Sequence, residues 1–181
     1  MNRMPGTTEG PEKRRLAASL LEHPSEADIA ELIEVDKEIF PTMPIDDEVI
    51  RGALESSGVQ VILRGEDGKI AGYIISRPHN EVYDELKKLD PELEVVEGGL
   101  YAESMGIVPK ARGALSNLRA MGDTFVAEAK RKGFVKITGH FRVSEGLSGV
   151  LQNRANAQKL RTIENWLQSG EPFDYLEIGV D

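Results

Sequence analysis

Cysteine is absent from this 181-residue chain, histidine occurs three times, and no apolar run approaches the roughly 18 residues of a membrane span. Each shortage excludes something. Without cysteine there is no disulfide, no thiolate metal site and no cysteine nucleophile. His23, His79 and His140 are scattered without metal-ligand spacing, so no structural metal is expected. The opening MNRMPGTTEGPEKRR lacks the apolar block of a secretory signal, which predicts a cytoplasmic protein without membrane attachment.

Positive charge is also scarce, with 22 Lys and Arg against 31 Asp and Glu for a formal net charge of -9. That balance argues against a general nucleic-acid binder. The deficit is local: residues 1–100 hold 22 acids and 11 bases, whereas residues 101–181 hold 9 acids and 11 bases. Within 110–142, eight bases face only Asp123 and Glu128. A polyanion would favour that segment and a cationic amine the acidic half; a solvated, lysine-rich helix end at 130–132 is the alternative.

What is present reads as a tail followed by one domain. Residues 1–12 are polar, with Gly and Pro, and are expected to be disordered. Residues 13–181 suit a single compact domain that buries about 70% of its unfolded surface. RLAASLL at 15–21 is either a strand or a short helix. Ser25 with Asp28 forms a capping-box pattern ahead of Ile29, Leu32, Ile33 and Phe40, predicting a helix that ends before Pro41. A second helix starts near Asp46, with Gly58 as its stop.

VQVILRG at 59–65 and KIAGYIISR at 69–77, split by Glu-Asp-Gly, read as a hairpin. The charged segment 79–97 contains a short helix at 80–89 that breaks at Asp90-Pro91. A strand at 100–108, a helix at about 114–132 stopped by Gly133, and a strand at 134–142 follow. A short helix near 146–154 and strands near 159–165 and 173–180 complete the chain. Hairpins at both ends and helices between strands predict an α/β (α+β) fold, a mixed sheet with helices on both faces.

The stretch 101–133, YAESMGIVPKARGALSNLRAMGDTFVAEAKRKG, carries the chemistry, because a strand runs through Pro109 into Lys-Ala-Arg-Gly and directly into a helix. A helix start leaves N–H groups unpaired and carries about half a positive charge, so it attracts anions. Lys110 and Arg112 add cationic donors. The plain alternative is an ordinary strand-to-helix turn with an exposed arginine.

This element order, with Ile107-Val108-Pro109-Lys110-Ala111-Arg112-Gly113 at the strand end, resembles the GNAT superfamily of acyl-CoA N-acyltransferases. The resemblance covers nearly the whole chain and implies a mixed, mostly antiparallel central sheet. Its usual x-Gly-x-Gly continuation reads Ala114-Leu115-Ser116-Asn117 here, a divergent pyrophosphate loop. By resemblance, Lys110, Ala111, Arg112, Gly113, Ala114, Leu115 and Ser116 would hold the coenzyme pyrophosphate. The backbone of Met105, Ile107 and Val108 would pair with the pantetheine arm. Acetyl-CoA, or another acyl-CoA, is the implied co-substrate. Gln152 falls where a tyrosine often protonates the departing thiolate.

The resemblance also implies Glu103 as catalytic base, with a surface glutamate or a structural ion pair as the alternative, and strand alternation puts Tyr101, Met105 and Ile107 on its face. A carboxylate on that mostly apolar face is expected to have a raised pKa. Water or Ser144 is then left to stabilise the thiolate. His79, Tyr83, Tyr101 and His140 are candidates for lining the acceptor site, with 79–97, an insertion relative to the family, as lid or wall; a solvated helix is the alternative. Trp166 and Phe173 are expected in the core. The expected activity is N-acyl transfer, most simply acetylation, to a primary amine of a small molecule or peptide. The alternative is a GNAT-fold protein with lost or altered coenzyme use, a binding or regulatory module or a nucleobase modifier. A homodimer is left open.

Overall fold

The computed structural model describes residues 16–113 and 115–180; the expected tail at 1–12 and Ala114 lie outside them. The strands are β1 (Ala17–Leu20), β2 (Val61–Arg64), β3 (Ile70–Pro78), β4 (Gly99–Ile107), β5 (Lys136–Arg142), β6 (Gln158–Ile163) and β7 (Phe173–Gly179). The helices are α1 (Glu26–Ile39), α2 (Asp47–Glu55), α3 (His79–Leu89), α4 (Leu115–Arg131) and α5 (Leu147–Arg154). One seven-stranded sheet runs β1-β2-β3-β4-β5-β7-β6. All neighbours are antiparallel except β4 and β5.

Local chemistry explains most boundaries. Ser25 caps α1 by accepting from the Asp28 N–H at 3.2 Å, and Asp28 answers by accepting from the Ser25 N–H at 3.0 Å. The segment at 15–21 resolves as strand β1, which pairs with β2. α2 ends at Glu55 rather than at Gly58. Gly58 serves a different purpose: a Cβ there would lie 2.1 Å from the Ser76 carbonyl oxygen, so only glycine permits that approach to β3.

Three apolar clusters fix the layers. Leu32, Ile50 and Ala53 of α1 and α2 pack on Ile62, Tyr73 and Ile75 of one sheet face. Met121, Phe125 and Ala129 of α4 pack on Val61, Leu63, Ile74 and Leu100 of the other. α3 continues the first face over the second half of the sheet, where Val82, Leu86 and Leu93 meet Tyr101, Trp166, Phe173 and Tyr175. The segment 79–97 is therefore a packed layer with one solvated side, and Trp166 and Phe173 are core residues, as expected.

Candidate functional site

The sheet opens in the middle. β4 and β5 are registered only at Gly99–Lys136, Leu100–Ile137 and Tyr101–Thr138, and beyond Tyr101 no β4 residue is paired with β5. The opening leads into a cleft of about 1230 Å³ between α4 and α5. Its floor is Ile74, Ala102, Met105 and Phe141; Leu118, Gly122 and Phe125 form one wall, Val150 and Leu151 the other. Leu115 and Ser116 stand at the end where α4 begins, with the exposed side chains of Arg119 and Arg154 on the rim.

One extra residue decides which side chains face this cleft. Ile75 pairs with Ser104 but Ser76 pairs with Ala102, so Glu103 is a β-bulge. Glu103 and Ser104 consequently lie on the α1–α3 side, where Glu103 meets Arg77 and Ser104 meets Tyr73. Met105 and Ile107 lie on the α4 side. This corrects the expectation that Tyr101, Glu103, Met105 and Ile107 share a face: Tyr101 and Glu103 do, Met105 and Ile107 do not. Unbroken alternation holds only for a strand without a bulge.

Glu103 is held in a buried ion pair. Arg77 donates from Nε to Glu103 Oε1 at 2.5 Å, with only 8% of the glutamate side chain and 14% of the arginine exposed. Burial pushes the Glu103 pKa above the usual carboxylate range, and Arg77 partly opposes it. Arg77, on β3, also donates to Glu85 of α3 at 3.2 Å, so that it bridges α3 and β4. Beside them, the buried Tyr73 hydroxyl is within 2.8 Å of Ser104 and donates to Asp36 of α1. Asp36 in turn accepts the Ile45 N–H at 2.8 Å, fixing the loop between α1 and α2; sequence patterning gave no sign of this network.

The strand-to-helix segment is held by its own backbone contacts. The Val108 N–H donates to Ala71 at 3.0 Å and its side chain is buried under α1, so its amide serves the sheet rather than a ligand. The Ala111 and Arg112 amides close a short turn onto Val108 and Pro109. Arg112 donates from Nε to the Ile107 carbonyl at 2.9 Å and from its terminal nitrogen to Ile39 at 3.3 Å, bracing the loop against β4 and α1. Lys110 is exposed. Gly113 has φ +86, a left-handed conformation that explains the glycine before α4.

The two departures from the family pattern separate. Leu115, 64% exposed, stands at the cleft mouth. Asn117 is buried and structural: its Oδ1 accepts the Leu16 N–H at 3.0 Å, and its Nδ2 donates to Ala111 at 3.4 Å. The anion-attracting amides are thus those of the first turn of α4. Ser116 is half-buried there and lines the cleft.

The remaining candidates are placed elsewhere. Ser144 is exposed beyond β5 and donates to Glu171 at 2.9 Å; it does not line the cleft. Gln152 donates to the Ser148 hydroxyl at 3.0 Å. Tyr101 and His140 are packed beneath α3, His79 is buried in its first turn, and Tyr83 is half-buried. His79 Nδ1 accepts the Val96 N–H at 3.4 Å. His140 stacks on Trp166 with ring centres 3.7 Å apart, its Nδ1 2.9 Å from the Tyr101 hydroxyl and its Nε2 3.4 Å from Asp90. Burial lowers the His140 pKa to about 3, against the pull of Asp90. Burial alone would raise Asp90, but the Arg161 guanidinium donating to it holds it below the ordinary value. These groups form a buried clasp that joins the end of α3 to β4, β5 and β6.

No group of three or more His, Cys, Asp or Glu among the described residues could hold a metal ion. No helix among them is long and apolar enough to cross a membrane.

The comparisons with known proteins agree with this architecture. No family model matches the chain, and no curated protein matches it by sequence. Solved structures do match. The ribosomal-protein-S18-alanine N-acetyltransferase of Escherichia coli is similar with a TM-score of 0.67, at 12% identity, over 91% of this chain and 94% of that one. An aminoglycoside 6'-N-acetyltransferase complexed with coenzyme A gives 0.67 at 9% identity, over 92% and 98%. The NAA60 protein of Arabidopsis thaliana, in complex with acetyl-CoA, gives 0.64 at 13% identity, over 91% and 97%. The chain has the GNAT acetyltransferase fold, and identities this low establish the fold alone.

Proposed function

We propose that this protein is an acyl-CoA-dependent N-acyltransferase acting on a primary amine of a small molecule or peptide. The observation that carries the reading is the opening between β4 and β5, which leads into an apolar cleft ending at the first turn of α4. A coenzyme A molecule fits that arrangement: its pyrophosphate meets helix amides and the rim arginines, and its pantetheine arm runs along the unpaired edge of β4. Acetyl-CoA is the simplest donor, and similar folds have been solved with coenzyme A and with acetyl-CoA.

In the transfer, the amine nitrogen forms a bond to the thioester carbon, the carbon–sulfur bond breaks, and the amine loses a proton. Glu103 is suited to receive that proton, because its raised pKa brings it nearer neutrality. Arg77 keeps the carboxylate oriented. Gln152 cannot serve as an acid and Ser144 lies outside the cleft, which leaves water to protonate the thiolate.

Calorimetric titration with coenzyme A and acetyl-CoA tests the reading. Both are expected to bind, and Ser116→Glu should weaken both at least tenfold while keeping the helix intact, because an acid favours a helix N-terminus but repels phosphate. A folded sample giving no heat with either ligand would sink the proposal. Salt-dependent nucleic-acid binding in its place would favour the nucleobase alternative.

A further inference from the structure

The cleft extends past the level of the bulge at Glu103 to the end where β4 and β5 are paired. On the proposed reading the donor enters at the start of α4 and follows β4 backwards toward the point where β4 and β5 join. α4 leaves the C-terminal end of β4 and returns over the sheet, so its later residues stand over the N-terminal part of that strand. With Glu103 as the base, the reacting thioester would lie level with the bulge. Beyond it, Ile137 is registered with Leu100, Ile178 with Ile137, and Gly179 with Lys136, all at or behind the last paired position. Ile137, Ile178 and Gly179 nevertheless line the same cleft, together with Phe125 and Val126 of α4.

From Glu103 to the level of Gly99 is four strand residues, or roughly 13 Å. This inner end is apolar, while the charged lining side chains, Arg119, Asp123 and Arg154, are exposed on the rim. Gly122 keeps the trough wide, since a Cβ there would meet nothing within 4 Å. The segment before Leu16 is no match for this lining, since Met1 and Met4 are its only large apolar side chains amid five bases and acids from Glu9 to Arg15.

We propose that the inner trough holds the hydrocarbon tail of a medium-chain acyl-CoA, so that the protein prefers donors longer than acetyl. This rests on the acyl-CoA reading above and names the donor class. The bonds that form and break are unchanged; only the chain on the carbonyl carbon lengthens. The roughly 13 Å available suits a chain of about six to ten carbons.

The test is calorimetric titration of the whole chain with coenzyme A, acetyl-CoA, hexanoyl-CoA and decanoyl-CoA. A fully buried methylene tightens binding roughly three- to fourfold, so even a partly open trough should bind hexanoyl-CoA at least tenfold more tightly than acetyl-CoA. Gly122→Leu should fill the trough and bring that ratio close to one. The variant is expected to fold, because leucine is a better helix former than glycine and its Cβ meets no neighbour. Equal affinity for acetyl- and hexanoyl-CoA, or a chain-length preference untouched by Gly122→Leu, overturns the inference and leaves the transferase reading standing. Absence of binding for every ligand, free coenzyme A included, overturns both.

Discussion

Replacing Arg77 by methionine removes the cation that opposes the effect of burial on Glu103 while keeping much of the side-chain bulk. The pair is short, 2.5 Å, and both partners are largely withdrawn from water, with 8% and 14% of their side chains exposed. Removing one partner of such a pair costs about 3–5 kcal/mol when the other must stay charged. That is a large part of the ~5–15 kcal/mol by which domains are stable. Glu85, 61% exposed, adds little to the pair.

The loss should depend on pH, because Glu103 can relieve it by taking a proton. Its folded pKa is already above the ordinary value through burial, with Arg77 holding it down, and loss of Arg77 raises it further. A carboxyl raised in the folded state binds more protons there than when unfolded. Its contribution is therefore fully present below the unfolded pKa and is lost as pH rises through the folded one. In Arg77→Met this window extends upward, at up to about 1.4 kcal/mol per pH unit while Glu103 titrates. Urea midpoints at pH 5, 6.5 and 8 should show a deficit that grows with pH, at unchanged slope m. The double variant Arg77→Met/Glu103→Gln should recover much of the deficit at pH 8. Equal losses at pH 5 and pH 8, or a double variant as unstable as the single one, would refute the argument.

Two further expectations concern the clasp and the loop. His140, with its pKa lowered to about 3, should stay neutral at pH 5, seen as unchanged ring nitrogen shifts by NMR between pH 7.5 and 5. Because the unfolded histidine takes its proton near pH 6.5, stability should fall as pH drops from there toward 3, and His140→Phe should remove that component; a midpoint near 6.5 in the folded protein would rule out the buried stack. Gly113→Ala, at φ +86, should lower the urea-derived stability by roughly 1–2 kcal/mol, and an unchanged midpoint would mean that the turn before α4 does not need glycine.

Much of the fold was legible because its signals are local. Ser25 and Asp28 announce the start of α1, Gly68 with φ +76 follows the Glu-Asp turn of the first hairpin, and Gly133 with φ +85 closes α4. The turn that leads into α4 was legible for the same reason, in Pro109 to Gly113, but none of these residues lines the cleft. What escaped depends on distant partners. A bulge at Glu103 is defined by the register of β3 against β4, which leaves no mark in the alternation of one strand. The structural task of Asn117 requires Leu16, 101 residues away, and the burial of His140 requires Asp90, Arg161 and Trp166 from three separate segments. The basic count of 110–142 likewise concealed that Arg112 is turned onto backbone carbonyls, whereas the rim includes Arg154, outside that window.

The bulge also constrains how the proposed reaction is arranged. With unbroken alternation, Glu103 would share a side of the sheet with Met105 and face the donor cleft. The extra residue turns it to the opposite side, toward Arg77, Glu85 and the loop fixed by Asp36. Donor and base are then separated by the thickness of the sheet, and the gap between β4 and β5 is where a thioester from one side can meet an amine from the other. On that arrangement the acceptor approaches past α3 and the loop between α1 and α2, which places the acids of α3 along its path. A cationic amine is drawn toward such a path, and Glu103 then receives its proton on the side from which the amine arrived.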